Sequence, residues 1–580
     1  MPVRRILLLA PFKLRMRALR SVERRIISRL PKDRRLPALR RITPITGDAP
    51  RPTGVPAAVR KHNLDRVVTA LDAVGVPCLR IPAADPRRTA VAVQAGDRAA
   101  VLAVLAGWER LGGVQVESAK RREDAAVISV SWDDAAYACD VEFWAERGDT
   151  FVAPRPNPVA DEIPAEEQAV MVPEAVFSPF ADATDTSTYR TRPVFATVAP
   201  ERVRFPVDAV YTWVDGSDPA WRARRAAAQP ETAGPQSANA SRYASHDELR
   251  HSLRSLHAYA PWIRRVFIVT DDQVPGWLDT SHEQITVVSH REIFGGEGVL
   301  PTFNSQAIES RLHHIPGLAE HFLYLNDDVF FGRPTTPEMF FTSGGLTRFF
   351  PSPGAQMGSG PRTDDDLPVN AAGKNSRTII ERTFGVRVTR KMRHTPHPSR
   401  RSVLAELEQR FPAEVAATAS HQFRHPADLA LPSSLQHFWA WLTGRGVPSD
   451  IGYHYLDLAE PETPIRLAKL LRHRNVDVFC LNDTDADPAT AREQAAMLRE
   501  FLPAYFPAPS PYELTGPEAA RPTYAPAHVE VGRQPSRAGT GAATGAPVRP
   551  VLQTQQREKA RNAARPAAPA QKATEPTLHP

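Results

Sequence analysis

The sequence predicts an α/β fold built on a mostly parallel sheet, and three observations predict it. Between residues 205 and 330, short apolar β-rich runs alternate with helical patterns in the order strand, helix, strand, strand, helix, strand. Several of these runs end in acidic clusters, the position from which α/β folds present ligand groups at strand carboxyl ends. Hydrophobic residues make up 42 % of the 580, a globular proportion that rules out a wholly disordered or collagen-like chain.

Taken in order, Val207 to Trp213 is an apolar run that closes in Asp215-Gly216-Ser217-Asp218-Pro219. His246 to Leu256 has helical periodicity, with Ser245 placed to cap it and Glu248 three residues on. Val266 to Thr270 reads as a second strand ending at Asp271-Asp272, and Ile285 to Ser289 as a third. Gln306 to Ile315 reads as a helix, and His321 to Leu325 as a fourth strand that ends in Asn326-Asp327-Asp328. Neither a GxGxxG fingerprint nor a GxxxxGK[ST] loop occurs, which removes weight from dinucleotide folds and P-loop NTPases.

The surroundings of this core differ in composition. Residues 53–155 read as a small α/β module, with helices over Val55 to Val74 and Arg98 to Leu111. Its strands are expected at Pro77 to Ile81, Ala125 to Val130 and Cys139 to Trp144. Residues 156–204 are proline-rich and are expected to connect or wrap. The chain holds 56 prolines, about double the usual share. Many fall in residues 515–580, a Pro/Ala-rich tail too poor in apolar surface to offset its ordering entropy and therefore expected to be disordered. The net charge of +7 is uneven: residues 1–50 hold 14 Lys+Arg against three acids, leaving −4 for the rest. A nucleic-acid surface is thus disfavoured. The basic arm, 1–52, reads either as a solvated helix or as an amphipathic helix on anionic lipid. No run of 18 apolar residues exists to span a membrane. Three scattered cysteines, Cys78, Cys139 and Cys480, argue against a disulfide framework or zinc ribbon and fit a reducing cytosol.

Chemistry-bearing candidates lie in the core. Asp327 and Asp328 follow a buried run, where two carboxylates suit a hard cation such as Mg²⁺ or Mn²⁺; acidic turns after strands are also common without one. Asp215 and Asp218 end another strand of the same sheet. Glu309 sits on a helix shortly after Asn304 and Ser305. Of the 18 histidines, His421 in Ser420-His-Gln-Phe-Arg424 is the best candidate base, with Arg424 as a phosphate clamp. His394-Thr-Pro-His-Pro398 is stiffened by two prolines and could line a substrate wall.

Four long blocks then bring a resemblance into view: Asp208 to Trp221; Arg242 through Asp247–Leu256 to Leu278; Leu300 to Gly332; and His394 to Arg424 with Phe479 to Asp483. Together they span about 205–510 and resemble the Stealth family of sugar-1-phosphate transferases, which includes bacterial capsule and exopolysaccharide phosphotransferases. The chain departs from the family pattern at Thr270-Asp-Asp-Gln, where many members carry a turn glycine in place of the second acid, and again at Asn482-Asp483-Thr484.

The resemblance implies a glycosyltransferase-A-like catalytic core over 205–510 with a helical C-terminal portion. It implies a nucleotide-sugar donor, commonly a UDP-sugar, and transfer of the sugar 1-phosphate to a hydroxyl of a glycan acceptor. In that reading His421, Arg424, Glu309 and Asp215 are catalytic, and Asp327 and Asp328 hold Mg²⁺ or Mn²⁺. Trp213, Asp218, Arg250, Arg254, Asn304, Ser305 and Asn326 bind substrate, although structural salt bridges fit the two arginines nearly as well. The expected setting is cytoplasmic, at the inner face of the membrane if the arm binds lipid. The competing readings are a metal-dependent glycosyltransferase that makes a plain glycoside and a non-catalytic scaffold.

Overall fold

A computed structural model of the chain describes Ile45 and residues 54–132, 134–181, 185–229, 243, 245–358, 360–363, 365–483 and 488–515. The basic arm, except for Ile45, and the tail beyond residue 515 lie outside the described residues.

The core of residues 205–510 is a five-stranded sheet in the order Ile285–Ser289, Val266–Thr270, Val207–Thr212, His321–Asn326, His397–Arg400. The first four strands run parallel, and the edge strand His397–Arg400 is antiparallel. The expectation of a mostly parallel α/β sheet therefore holds. Alternation sorts the side chains onto two faces. Val207, Ala209, Tyr211, Ile268, Leu323 and Leu325 enter one core with Leu249, Leu253 and Leu256 of the helix Glu248–Tyr259. Val210, Phe267, Val269, Phe322 and Tyr324 enter a second core with the helices Pro368–Phe384, Arg401–Arg410 and Gln436–Leu442. Both faces are covered, as a parallel sheet requires. Among the described residues no helix is long and apolar enough to cross a membrane.

One feature of connectivity positions the site. After Asn326 the chain makes the Asp327-Asp328 turn and enters a second, three-stranded sheet as Val329–Phe331, paired with Val478–Asn482, which in turn pairs with Tyr453–Asp457. The acidic turn is thus gripped between two sheets.

Two local expectations change. Ser245 does not cap its helix: Asp247 takes that place in a left-handed conformation (φ 66°) without a side-chain cap. Glu248 instead folds its carboxylate back to accept the His246 N–H at 2.5 Å. The stretch Gln306 to Ile315 is a short helix, Ser305–Glu309, followed by one tighter turn, Leu312–His314. Ser310 turns its hydroxyl onto the Ala307 carbonyl, a local bond that competes with helix propagation.

The N-terminal module has the two expected helices, Pro56–Ala73 and Arg98–Leu111, on a sheet whose strands include Cys78–Ile81, Val127–Ser131 and Cys139–Arg147. A strand not foreseen, Thr89–Gln94, lies inside that sheet between Cys78–Ile81 and Cys139–Arg147. Residues 156–204 wrap this module. Glu162–Pro164 joins its sheet, Tyr189 enters its core, and Phe195 packs edge-on against Trp144. All three cysteines are buried and unpaired.

Candidate active site

The Asp327-Asp328 turn collects charge from three directions. Asp328 Oδ1 lies 3.2 Å from His394 Nε2, and Asp328 Oδ2 accepts a hydrogen bond from the Cys480 thiol at 3.3 Å. Register places Cys480 there, directly opposite Val329. Burial, reinforced by the charge of Asp328, pushes Asp327 up to about 7. Burial, reinforced by the charge of Asp327, pushes Glu248 up to about 8. The charge of Asp328 thus acts on Asp327, and the charges of both act on Glu248, at the amino end of one helix and the carboxyl end of one strand. Asp328, His394 and Cys480 present ligand atoms within 4.8 Å of one another. His394 is the basic group beside them: burial lowers its pKa, but the charge and hydrogen bond of Asp328 outweigh this and the net shift is upward.

Glu309 faces the same region. It is buried, and burial raises its pKa against the opposing charges of Arg424 and His394. Tyr324 donates its hydroxyl to Glu309 Oε1 and Ser433 donates to Oε2, each at 3.1 Å. The single Tyr324 proton being used, Thr212 at the end of the first strand donates to Tyr324 at 3.2 Å.

His421 forms a dyad. Its Nδ1 lies 2.6 Å from Oδ1 of Asp428, a fully buried carboxylate. The other oxygen of Asp428 accepts from Asn304 Nδ2 and from the His425 N–H, both at 2.8 Å. Burial raises the Asp428 pKa, and these bonds counter it. With Nδ1–H directed at the carboxylate, the lone pair of Nε2 is left for proton abstraction. Two family blocks are laced together here. Phe303 N–H donates to the Gln422 carbonyl at 2.7 Å, Arg424 Nη2 donates to Ser305 Oγ at 3.0 Å, and the Phe303 and Phe423 rings stack at 5.3 Å.

The remaining expected residues fall elsewhere. Asn304 is fully buried, its side chain committed to capping Ser305–Glu309 and holding the 421–428 loop, so it positions His421 rather than gripping a sugar-phosphate. Asp218 caps the helix Pro219–Ala228 and accepts from Gln273, which also bonds the backbone N–H and carbonyl of Asp215. Asp215 accepts the Ser217 N–H at 2.8 Å, and Trp213 is buried in the first core rather than open to a base. Asn326 is half-buried and pairs in register with Thr212. The missing turn glycine leaves Asp272 in the left-handed region at φ 58°, its carboxylate bonded to Ser289 Oγ at 2.6 Å.

Arg250 and Arg254 are not poised for phosphate. Both bind Glu513, at 2.6 Å and 2.7 Å, and so fasten the segment after the last helix to Glu248–Tyr259. Burial alone would raise the Glu513 pKa; the bonds from Arg254, the Ser510 N–H and Arg250 outweigh it and bring it down to about 2. A depressed carboxylate stabilises above its unfolded value near 4.5 and loses that stability as pH falls toward 2. Glu513→Gln is expected to lower unfolding free energy by on the order of 2–3 kcal/mol at pH 7 and far less near pH 2. Denaturant titrations at the two pH values check this; equal losses at both would refute the ion-pair assignment.

Sequence reasoning missed Glu248, Asp428, Cys480, Tyr324 and Gln273 as site residues. Glu248 carried a signal as an acid in a helical first turn but was assigned to capping. Asp428, seven residues beyond His421, was the nearest downstream carboxylate.

Comparison with known proteins agrees in extent. Family models match conserved region 1 of Stealth proteins over residues 205–232, region 2 over 242–349, region 3 over 393–440 and region 4 over 468–524. Exopolysaccharide phosphotransferase SCO6023 of Streptomyces coelicolor is 45 % identical over 496 residues, covering 80 % of this chain and 84 % of that protein. Exopolysaccharide phosphotransferase CpsY of Mycobacterium tuberculosis is 42 % identical over 325 residues, covering 56 % of this chain and 61 % of that protein. A solved galactosyltransferase, LgtC, with donor and acceptor sugar analogues, aligns over 51 % of this chain and 96 % of its own at 12 % identity and a TM-score of 0.27. Glu248, Glu309, Asp327 and Asp328 fall in region 2, His394, His421 and Asp428 in region 3, and Cys480 in region 4. With four conserved regions in order and a relative this similar over most of both chains, the protein belongs to the Stealth family.

Proposed function

We propose that this protein transfers a sugar 1-phosphate from a nucleotide-sugar donor to a hydroxyl of a glycan acceptor, forming the phosphodiester of an exopolysaccharide. The observation that carries the reading is an acidic cluster (Glu248, Asp327, Asp328) linked electrostatically through His394 and Glu309 to Arg424, three residues from His421 of the His421–Asp428 dyad, on segments that belong to the family's conserved regions.

The acidic turn suits a divalent cation: Asp328, His394 and Cys480 offer ligand atoms within 4.8 Å of one another, and Asp327 and Glu248 add negative charge beside them. Asp327 and Asp328, with the charge of Glu248 beside them, would hold Mg²⁺ or Mn²⁺, which would supply charge neutralisation on a diphosphate. His421 Nε2 takes the proton of the acceptor hydroxyl as its oxygen attacks the β-phosphorus. The new O–P bond forms as the bond from that phosphorus to the nucleoside monophosphate oxygen breaks, and the nucleotide leaves as its monophosphate. Arg424, held by Ser305, stabilises the phosphoryl oxygens, and Glu309 orients the sugar-phosphate. The reaction belongs on the cytoplasmic side, with the basic arm bringing the enzyme to the inner membrane face.

The experiment is incubation with a panel of UDP- and GDP-sugars, Mg²⁺ or Mn²⁺ and a glycan acceptor. Release of UMP or GMP, with a product mass that includes phosphate, is the expected result. Release of the diphosphate with a plain glycoside would overturn phosphoryl transfer, and no consumption of any donor would favour a scaffold.

A further inference from the structure

At the amino ends of the core strands, opposite the edge that carries Asp327, a cavity of about 520 Å³ opens between the sheet and the 175–181 segment that wraps the N-terminal module. Four arginines line it: Arg202, Arg204, Arg264 and Arg265. Two have acidic partners. Arg264 binds Asp208 at 2.7 Å, and Arg202 lies 3.8 Å from Glu338. Arg204 and Arg265 are exposed and make no ion pair among the described residues. Glu283 is the one acid in the wall, and the half-buried rings of Phe205 and Trp262 form part of it. Those rings are fixed: Trp262 Nε1 donates to the Thr335 carbonyl at 2.9 Å, and Phe205 stacks on His321 at 4.0 Å.

Two exposed guanidinium groups without an acidic partner give the pocket a positive lining that an anion would complement. Guanidinium forks match phosphate oxygens, and a rigid aromatic wall matches the apolar face of a sugar ring. We propose that this cavity holds a phosphodiester segment of the glycan product, with Arg204 and Arg265 on the phosphate and Phe205 and Trp262 against the adjoining sugar. The identity of the polymer rests on the function proposed above; the binding of a phosphorylated glycan does not. A concave pocket suits a single polymer chain better than the broad surface of a membrane. The two central core strands, six residues each at about 3.3 Å per residue, separate this cavity from the opposite edge by roughly 20 Å. A polymer held here stays tethered near the catalytic edge, raising its effective concentration for the next transfer.

The test uses the full chain and affinity electrophoresis through gels containing phosphorylated dextran or neutral dextran of equal length. Wild type is expected to be retarded by phosphorylated dextran in a salt-sensitive way and hardly by neutral dextran. Arg204→Glu/Arg265→Glu is expected to bind phosphorylated dextran at least about tenfold more weakly, Arg204→Lys/Arg265→Lys to retain most of the binding, and both to release nucleoside monophosphate on a short acceptor at the wild-type rate. Equal retardation of wild type and the Glu variant would overturn the proposal, as would equal binding of neutral dextran or preferential capture by anionic vesicles. Loss of nucleotide release by wild type with dextran binding intact would instead overturn the proposed reaction and leave this site standing.

Discussion

Asp328→Asn is expected to reduce metal-dependent transfer by roughly a thousandfold or more, in line with removing a carboxylate that holds a catalytic cation. The same is expected of Asp327→Asn and Glu248→Gln, with a second signature that a merely structural acid would not give. Burial and mutual repulsion push Asp327 up to about 7 and Glu248 up to about 8, so in the metal-free protein the ionised form of each is disfavoured near neutral pH and folding must take up protons there. Neutralising one removes that requirement. The metal-free Asp327→Asn and Glu248→Gln proteins are therefore expected to melt a few degrees above wild type while losing Mn²⁺ affinity and turnover together. Calorimetric melting without metal, Mn²⁺ titration and nucleotide release measure the three quantities. Full metal-dependent turnover in Asp328→Asn would sink the metal assignment.

His421→Ala is expected to lower kcat by roughly a hundred- to ten-thousandfold with donor affinity retained, because the group moves a proton and does not bind the nucleotide. Asp428→Asn probes the geometry behind it. An amide of the same shape can still accept from Asn304 or the His425 N–H, but it no longer offers a carboxylate to the Nδ1–H of His421. The imidazole loses the tautomer that leaves Nε2 basic, so kcat is expected to fall by a comparable factor. The two single losses are not expected to add in the double variant, since the residues act as one unit. Unchanged kcat in His421→Ala would refute the base role. Stopped-flow turnover with fluorescence-monitored donor binding separates the two effects.

Much of the core was legible in sequence because strand burial is written locally. The apolar runs at Val207, Val266, Ile285 and His321 became the four parallel strands, with ends displaced by a residue or less. The acids at Asp327-Asp328 were legible for the same reason, since a turn after a buried strand is a local pattern. Thr89–Gln94 was not, although Thr89, Val91 and Val93 are β-branched: six residues between two helical stretches give too short a local signal, and parallel pairing with Cys139–Arg147 decides it. The missing glycine at Asp272 was visible in sequence as a departure, and the structure supplies its consequence, a left-handed residue held by Ser289.

By itself the sequence determined the α/β class, the parallel core with acids at its strand ends, the family blocks and the separate character of the basic arm and the proline-rich ends. The tertiary structure decided which polar residues share a site. Arg250 and Arg254 suited phosphate ligands and structural salt bridges nearly equally, and Glu513, about 260 residues away, proved to occupy them. Glu248 looked like a helix cap until folding buried it against Asp327. His421 acquired a fixed tautomer from Asp428 and Asn304, the latter 124 residues from the carboxylate it supports. The physical reason is common to all three: a side chain's charge state and partners depend on burial and on contacts distant in sequence, and local periodicity encodes neither.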